Sequence, residues 1–151
     1  MQITTDQIKE LRDETGVSVM QCKKALEEAD GDLEKAKIIL RKISKQSADK
    51  KASRTLGAGA VASYIHGNGS VGAMVELLCE TDFVARNEDF KALVRDIAMH
   101  ITAMDPENLE ELLNQEFIKS PEKIVKNLVE EAVQKFGERT EIGRFARFSI
   151  K

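Results

Sequence analysis

Tryptophan is absent from this chain of 151 residues, and tyrosine occurs once. Proline, cysteine and histidine occur twice each. Two cysteines exclude a disulfide scaffold. Cys22 and Cys79 fall in apolar helix-like and strand-like patterns and read as reduced, buried thiols of a cytoplasmic protein. His66 and His100 stand alone, without the spacing of a metal site, so no metal is expected. No apolar run approaches the length that spans a bilayer. The opening M-Q-I-T-T-D lacks the basic-then-apolar order of a signal peptide. These absences predict a cytoplasmic protein that meets no membrane. A net charge of −3 gives no bulk attraction for nucleic acid, and none is expected as a direct partner. No Gly-rich loop runs into Lys-Ser or Lys-Thr, so the chain has no phosphate loop of its own. Cys79 with His100 makes a nucleophile–base pair only on paper, because reactive cysteines need electropositive, accessible surroundings and Cys79 lies in an apolar strand. Neither enzyme chemistry nor a cofactor is expected.

What is present is 42% hydrophobic and 32% charged, the balance of a globular domain with an ion-rich surface. Three short helices open the chain. Thr4 and Gln7 form a capping box, with Ile3 and Ile8 as a hydrophobic staple, and Gly16 supplies a left-handed stop. Ser18 and Gln21 repeat the device for a second helix that ends near Gly31. Asp32 caps a third, with Leu33, Ala36, Leu40 and Ile43 at helical spacing. Helices this short are marginal alone, so they are expected to pack into one unit. Arg41 to Arg54 holds six basic residues against one acid and shows no core face beyond Ile43. It reads as a solvated linker, with a helical arm and a basic contact patch as alternatives.

From Leu56 the pattern changes. Two apolar runs flank Gly67-Asn68-Gly69, which predicts a β-hairpin. The second run, Val71 to Leu78, is almost continuously apolar and is expected to be central and covered on both faces. Phe90, Leu93, Val94, Ile97, Ala98 and Ile101 then mark an amphipathic helix, ended by Asp105-Pro106. A weak helix is expected around Leu109 to Leu113. Ser120-Pro121-Glu122 reads as the start of a helix through Phe136, with Pro at its first position and Gly137 as its stop. Gly143 to Lys151 reads as a last strand. The fold class expected is α+β: a three-helix module over 1–43, a basic linker over 44–54, and a core over 55–151 with a three-stranded antiparallel sheet packed by helices on one face.

The segment T-D-F-V-A-R-N, Thr81 to Asn87, lies where the second strand hands over to a helix. It places Phe83 beside an acid in a chain that is only 5% aromatic. Loop residues on a rigid scaffold often carry function. Read plainly, Thr81 or Asp82 caps the next helix and Phe83 joins the core. By the same plain reading, Met20 is core or docking surface, and Arg12 is a solvated helix charge.

Two blocks carry a family resemblance. L-R-D-E-T-G-V-S-V-M-Q-C-K-K-A-L, Leu11 to Leu26, resembles the N-terminal signature of bacterial elongation factor Ts. V-E-L-L-C-E-T-D-F-V-A-R-N, Val75 to Asn87, resembles its second signature, and the closing R-F-A-R-F resembles its last core strand. The resemblance implies a guanine nucleotide exchange factor for the GTPase elongation factor Tu. It implies that the three helices are a ubiquitin-associated-like module that docks on the partner's G domain through Arg12, Val19 and Met20. It implies further that Thr81, Asp82, Phe83 and Val84 form a wedge that dislodges magnesium and disturbs the phosphate site. Asp82 then either pairs with a basic or amide group of the partner or repels the acids around magnesium; both remain open. Two departures stand out. The family's paired methionines are Val19-Met20 here. A charged helical segment expected between Met104 and Leu112 is missing, which bears on homodimerisation and on the far contact with the partner. The rival readings are a ubiquitin-associated-like adaptor for some other helix or peptide, and a shortened factor that binds elongation factor Tu but exchanges slowly.

Overall fold

The computed structural model describes residues 2–150. Three helices open it: α1 (Thr5–Thr15), α2 (Val19–Glu28) and α3 (Leu33–Lys51). Their starts follow the sequence signals. Thr4 Oγ1 accepts from the Gln7 N–H, and Gln7 Oε1 accepts from the Thr4 N–H, closing the capping box. Ser18 and Asp32 accept from the N–H groups of Gln21 and Lys35. Gly16, at φ 71, ends α1 in the left-handed region, where a Cβ would be strained. Leu11, Val17, Cys22, Leu26, Ala36 and Leu40 are buried together as the first core, with Ile3 and Ile8 against it.

The basic stretch expected as a linker is helical as far as Lys51. Between α3 and the first strand, residues 52–57 alone lack helix or strand. The physical reason is a second contact. Ser44 is buried, and Ser47, Ala48 and Lys51 are half-buried on the same face, so the second half of α3 packs on helix α7 (Val125–Phe136). A stripe of small residues offers that face with little hydropathy signal.

Strands β1 (Ala58–His66), β2 (Val71–Cys79) and β5 (Glu141–Ser149) form an antiparallel sheet in the order β1-β2-β5. Ala73, Val75, Leu77 and Cys79 line its inner face and meet Phe90, Val94, Ile97 and Ile101 of α5 (Glu88–Met104) in the second core. The expectation that β2 is covered on both faces is corrected. Val61, Ile65, Met74 and Phe148 are exposed, all at outward positions of the alternating pleat, because the helices pack on one face only. Val75 pairs with Phe145 but Leu77 with Ile142, which is a bulge on β5. Glu76 fills it, accepting from the Arg144 backbone N–H at 2.7 Å and from its guanidinium at 2.8 and 3.0 Å.

Between α5 and α7 lie α6 (Leu109–Asn114), β3 (Glu116–Phe117) and β4 (Ser120–Ile124). The helix start expected at Ser120-Pro121 is corrected: these residues are strand, and α7 begins at Val125. Val125 N–H is held by the Gln115 carbonyl at 3.0 Å, and Asn127 Oδ1 accepts from Ile124 N–H at 3.0 Å. Pairing with β3 therefore keeps 120–124 extended, and Asn127 starts the helix. Gly137, at φ 73, stops it as expected. No helix among the described residues is long and apolar enough to cross a membrane.

Candidate functional site

The site begins where β2 leaves the sheet. After Cys79, the chain passes through Glu80 and Thr81 into a single helical turn, α4 (Asp82–Ala85). Thr81 caps it, its hydroxyl oxygen accepting from the Val84 N–H at 3.4 Å. Val84 and Ala85 are buried in the second core and anchor the turn from beneath. Asn87 then caps α5, accepting from the Asp89 and Phe90 N–H groups. With Val84 and Ala85 turned inward, the first two residues of the single turn face outward. Asp82 is exposed and Phe83 is 86% exposed. Phe83 is therefore not a core residue, and Thr81 performs the capping role weighed for it from sequence.

Four further residues hold this turn, and no sequence motif marks them in that role. The Glu138 carboxylate, just beyond α7, accepts from the backbone N–H of Glu80 and of Thr81, each at 3.0 Å. It also accepts from the Thr81 hydroxyl at 2.6 Å. The Glu80 carboxylate returns the contact, accepting from the Arg139 N–H at 2.5 Å and from the Arg54 guanidinium at 3.5 Å. Arg139 in turn donates to the Arg54 carbonyl and pairs with Glu141 at 2.9 Å. Glutamates at 80 and 138 are 58 residues apart, and only the G-E-R sequence after a helix stop marked a turn there.

The docking candidates lie in the first core's module, at the end of α1 and the start of α2. Met20 is 68% exposed and Val19 49%, while Arg12 is exposed and pairs with Asp13 at 3.4 Å. Among the described residues, no hydrogen bond or ion pair joins these three directly to Thr81–Val84. The two groups are linked through α7. Its Gln134 donates to Gln21 at 3.0 Å, its Lys135 pairs with Asp89 at 3.1 Å, and Glu138 follows its C-terminus.

Other candidates take structural roles. Burial pushes the Cys79 thiol up, helped by the negative charges of Glu138 and Asp82, and its Sγ donates to the Thr81 carbonyl at 3.3 Å. Such a thiol is not an activated nucleophile. His100 is buried on α5. Its Nδ1 accepts from the Ile118 N–H at 3.2 Å, and its Nε2 lies 2.9 Å from Gln115 Oε1. Among the described residues, no group of three or more His, Cys, Asp or Glu could hold a metal ion.

The sequence model of the family described as Elongation factor TS matches residues 80–151. Named relatives extend the likeness over nearly the whole chain. An elongation factor Ts of Thermosipho melanesiensis is 39% identical over 193 residues, covering 98% of each chain. That of Thermodesulfovibrio yellowstonii is 40% identical over 194 residues, covering 99% of this chain and 97% of its own. That of Leptospira biflexa is 38% identical over 195 residues, covering 99% and 98%. Each alignment runs over more positions than the 151 residues of this chain, so each relative holds a stretch with no counterpart here.

Proposed function

This chain belongs to the elongation factor Ts family, and from that premise we infer that it is a guanine nucleotide exchange factor for elongation factor Tu, acting as a binding protein without a catalytic side chain. The observation that carries the reading is Phe83, a bare aromatic ring on a turn held by Glu138 and anchored on the core through Val84 and Ala85.

Exchange is a coupling between two ligands of one GTPase. If this chain weakens nucleotide binding by some factor, nucleotide weakens its binding by the same factor. Each tenfold step needs about 1.4 kcal/mol of preference for the nucleotide-free partner. Burying a Phe supplies roughly 1.5–3 kcal/mol, and this gain is realised only where two partner helices have parted. Asp82, beside it, acts on the magnesium and phosphate region. The wedge alone is insufficient, so Arg12, Val19 and Met20 of the ubiquitin-associated-like module add docking surface.

The test is stopped-flow release of a fluorescent GDP analogue from elongation factor Tu. A large acceleration that rises with concentration and saturates is expected. No acceleration where binding is independently saturated would overturn the exchange reading. One observation favours a second reading, a factor that binds but exchanges slowly: the relatives hold a stretch that this chain lacks. Saturable binding with little acceleration identifies that case.

A further inference from the structure

We propose that Glu138 is a positioning residue for nucleotide release, presetting the turn that carries Phe83 before the partner is met. The proposal rests on the exchange reading for its kinetic arm and on this chain alone for its structural arm.

Arg139 follows Glu138 in the chain and Arg54 donates to the Gly137 carbonyl at 3.4 Å, yet among the described residues no ion pair takes Glu138. Arg139 pairs with Glu141, and Arg54 with Glu80. Its carboxylate is committed to the Glu80 N–H, the Thr81 N–H and the Thr81 hydroxyl. Hydrogen bonds to an ionised acceptor are about twice as strong as neutral ones. The third bond has a directional effect. By donating its proton to Glu138, the Thr81 hydroxyl turns a lone pair toward the Val84 N–H, which it caps. Glu138 therefore fixes both the backbone leading into α4 and the hydroxyl that starts it. Asp82 and Phe83 lie between Thr81 and the Val84 N–H that its hydroxyl caps. Glu138 is held in turn: Gly137 ends α7, the Thr140 hydroxyl donates to the Glu138 carbonyl at 3.1 Å, and Arg139 ties the loop to Arg54.

Loss of the carboxylate leaves two N–H groups and a hydroxyl at a partly exposed site, where water replaces it. The turn then samples other orientations, and the ordering cost falls on the step in which Phe83 inserts. A purely structural brace would instead lower stability and leave the release step alone.

The experiment compares wild type, Glu138→Ala and Glu138→Gln in the full chain. One arm measures saturating release rate and half-saturating concentration with elongation factor Tu. The other measures amide hydrogen exchange of the free protein. Glu138→Ala is expected to lower the saturating rate about tenfold, equivalent to about 1.4 kcal/mol, with half-saturation moved less than about twofold. Its Thr81 and Val84 amides should exchange faster while those of Leu77 and Ile97 do not. Glu138→Gln keeps one acceptor oxygen and should fall between. Unchanged Thr81 and Val84 exchange overturns the proposal, as does an unchanged saturating rate beside an active wild type. A wild type that accelerates nothing sinks the exchange reading instead, and the amide arm still decides whether Glu138 positions the turn. If Glu138→Ala unfolds, Glu138→Gln carries both arms.

Discussion

Gln134 on α7 stands between the two cores: its Nε2 donates to Gln21 Oε1 of α2 at 3.0 Å, and its Oε1 accepts from the buried Ser44 hydroxyl of α3. One amide thus ties the helical module to the sheet domain. Gln134→Ala leaves Ser44 buried without its partner, which costs about 1–3 kcal/mol. Urea denaturation should show the loss, and the double variant with Ser44→Ala should recover part of it. A Gln134→Ala midpoint equal to wild type would remove the amide from the account of how the module is held.

Phe83→Ala should leave stability within about 0.5 kcal/mol, since an exposed surface position away from special features changes little. Release of GDP from elongation factor Tu should nevertheless slow at least about tenfold, because under the proposed wedge role the ring gains its burial only in the complex. Thermal melting and stopped-flow release together check this. Full release activity in Phe83→Ala would end the wedge role.

Met20→Ala separates docking from release. The side chain is exposed, so melting should not move. An adaptable thioether lost from a docking surface should raise the half-saturating concentration severalfold and leave the saturating rate near wild type. A titration of release rate against concentration reads both. A fall in saturating rate alone would place Met20 with the wedge rather than with docking.

His100 makes the fold sensitive to acid. Burial holds its imidazole below the usual value, opposed by Gln115, and Nδ1 must stay unprotonated to accept from Ile118. The unfolded chain therefore binds a proton more readily than the folded one. Stability from this group is fully present above about pH 6.5, the ordinary histidine value, and is lost as pH falls toward the depressed folded value. Denaturation midpoints at pH 5 and pH 7 should differ more in wild type than in His100→Gln. Equal pH dependence in the two proteins would contradict the assignment.

Much of this fold was legible because its signals are local. Thr4 with Gln7, Ser18, Asp32 and Gly16 each act within one helical turn. Gly67 to Gly69 turned the hairpin, and the periodic apolar face of α5 found the inner face of the sheet. What escaped depends on residues far apart in sequence. Ser44 gains its partner 90 residues away, so α3 outran the apolar stripe. Pro121 looked like a helix start until Gln115 claimed the Val125 N–H. Apolar residues along β2 cannot reveal that only one layer of helices exists to cover them. Thr81 to Val84 stood out because an aromatic beside an acid is rare in this chain, while Glu138 was one acid among 26.

The brace between residues 80–81 and 138–139 also sets an order in time. Synthesis delivers the chain from its N-terminus, and contacts between distant residues close late. Thr81 and Phe83 leave the ribosome well before Glu138 and Arg139 do. Until that segment emerges and β5 docks beside β2, the Thr81 amide and hydroxyl lack the acceptor that orients them. A nascent chain of this protein thus carries its aromatic turn unset until Glu138 has emerged to hold it.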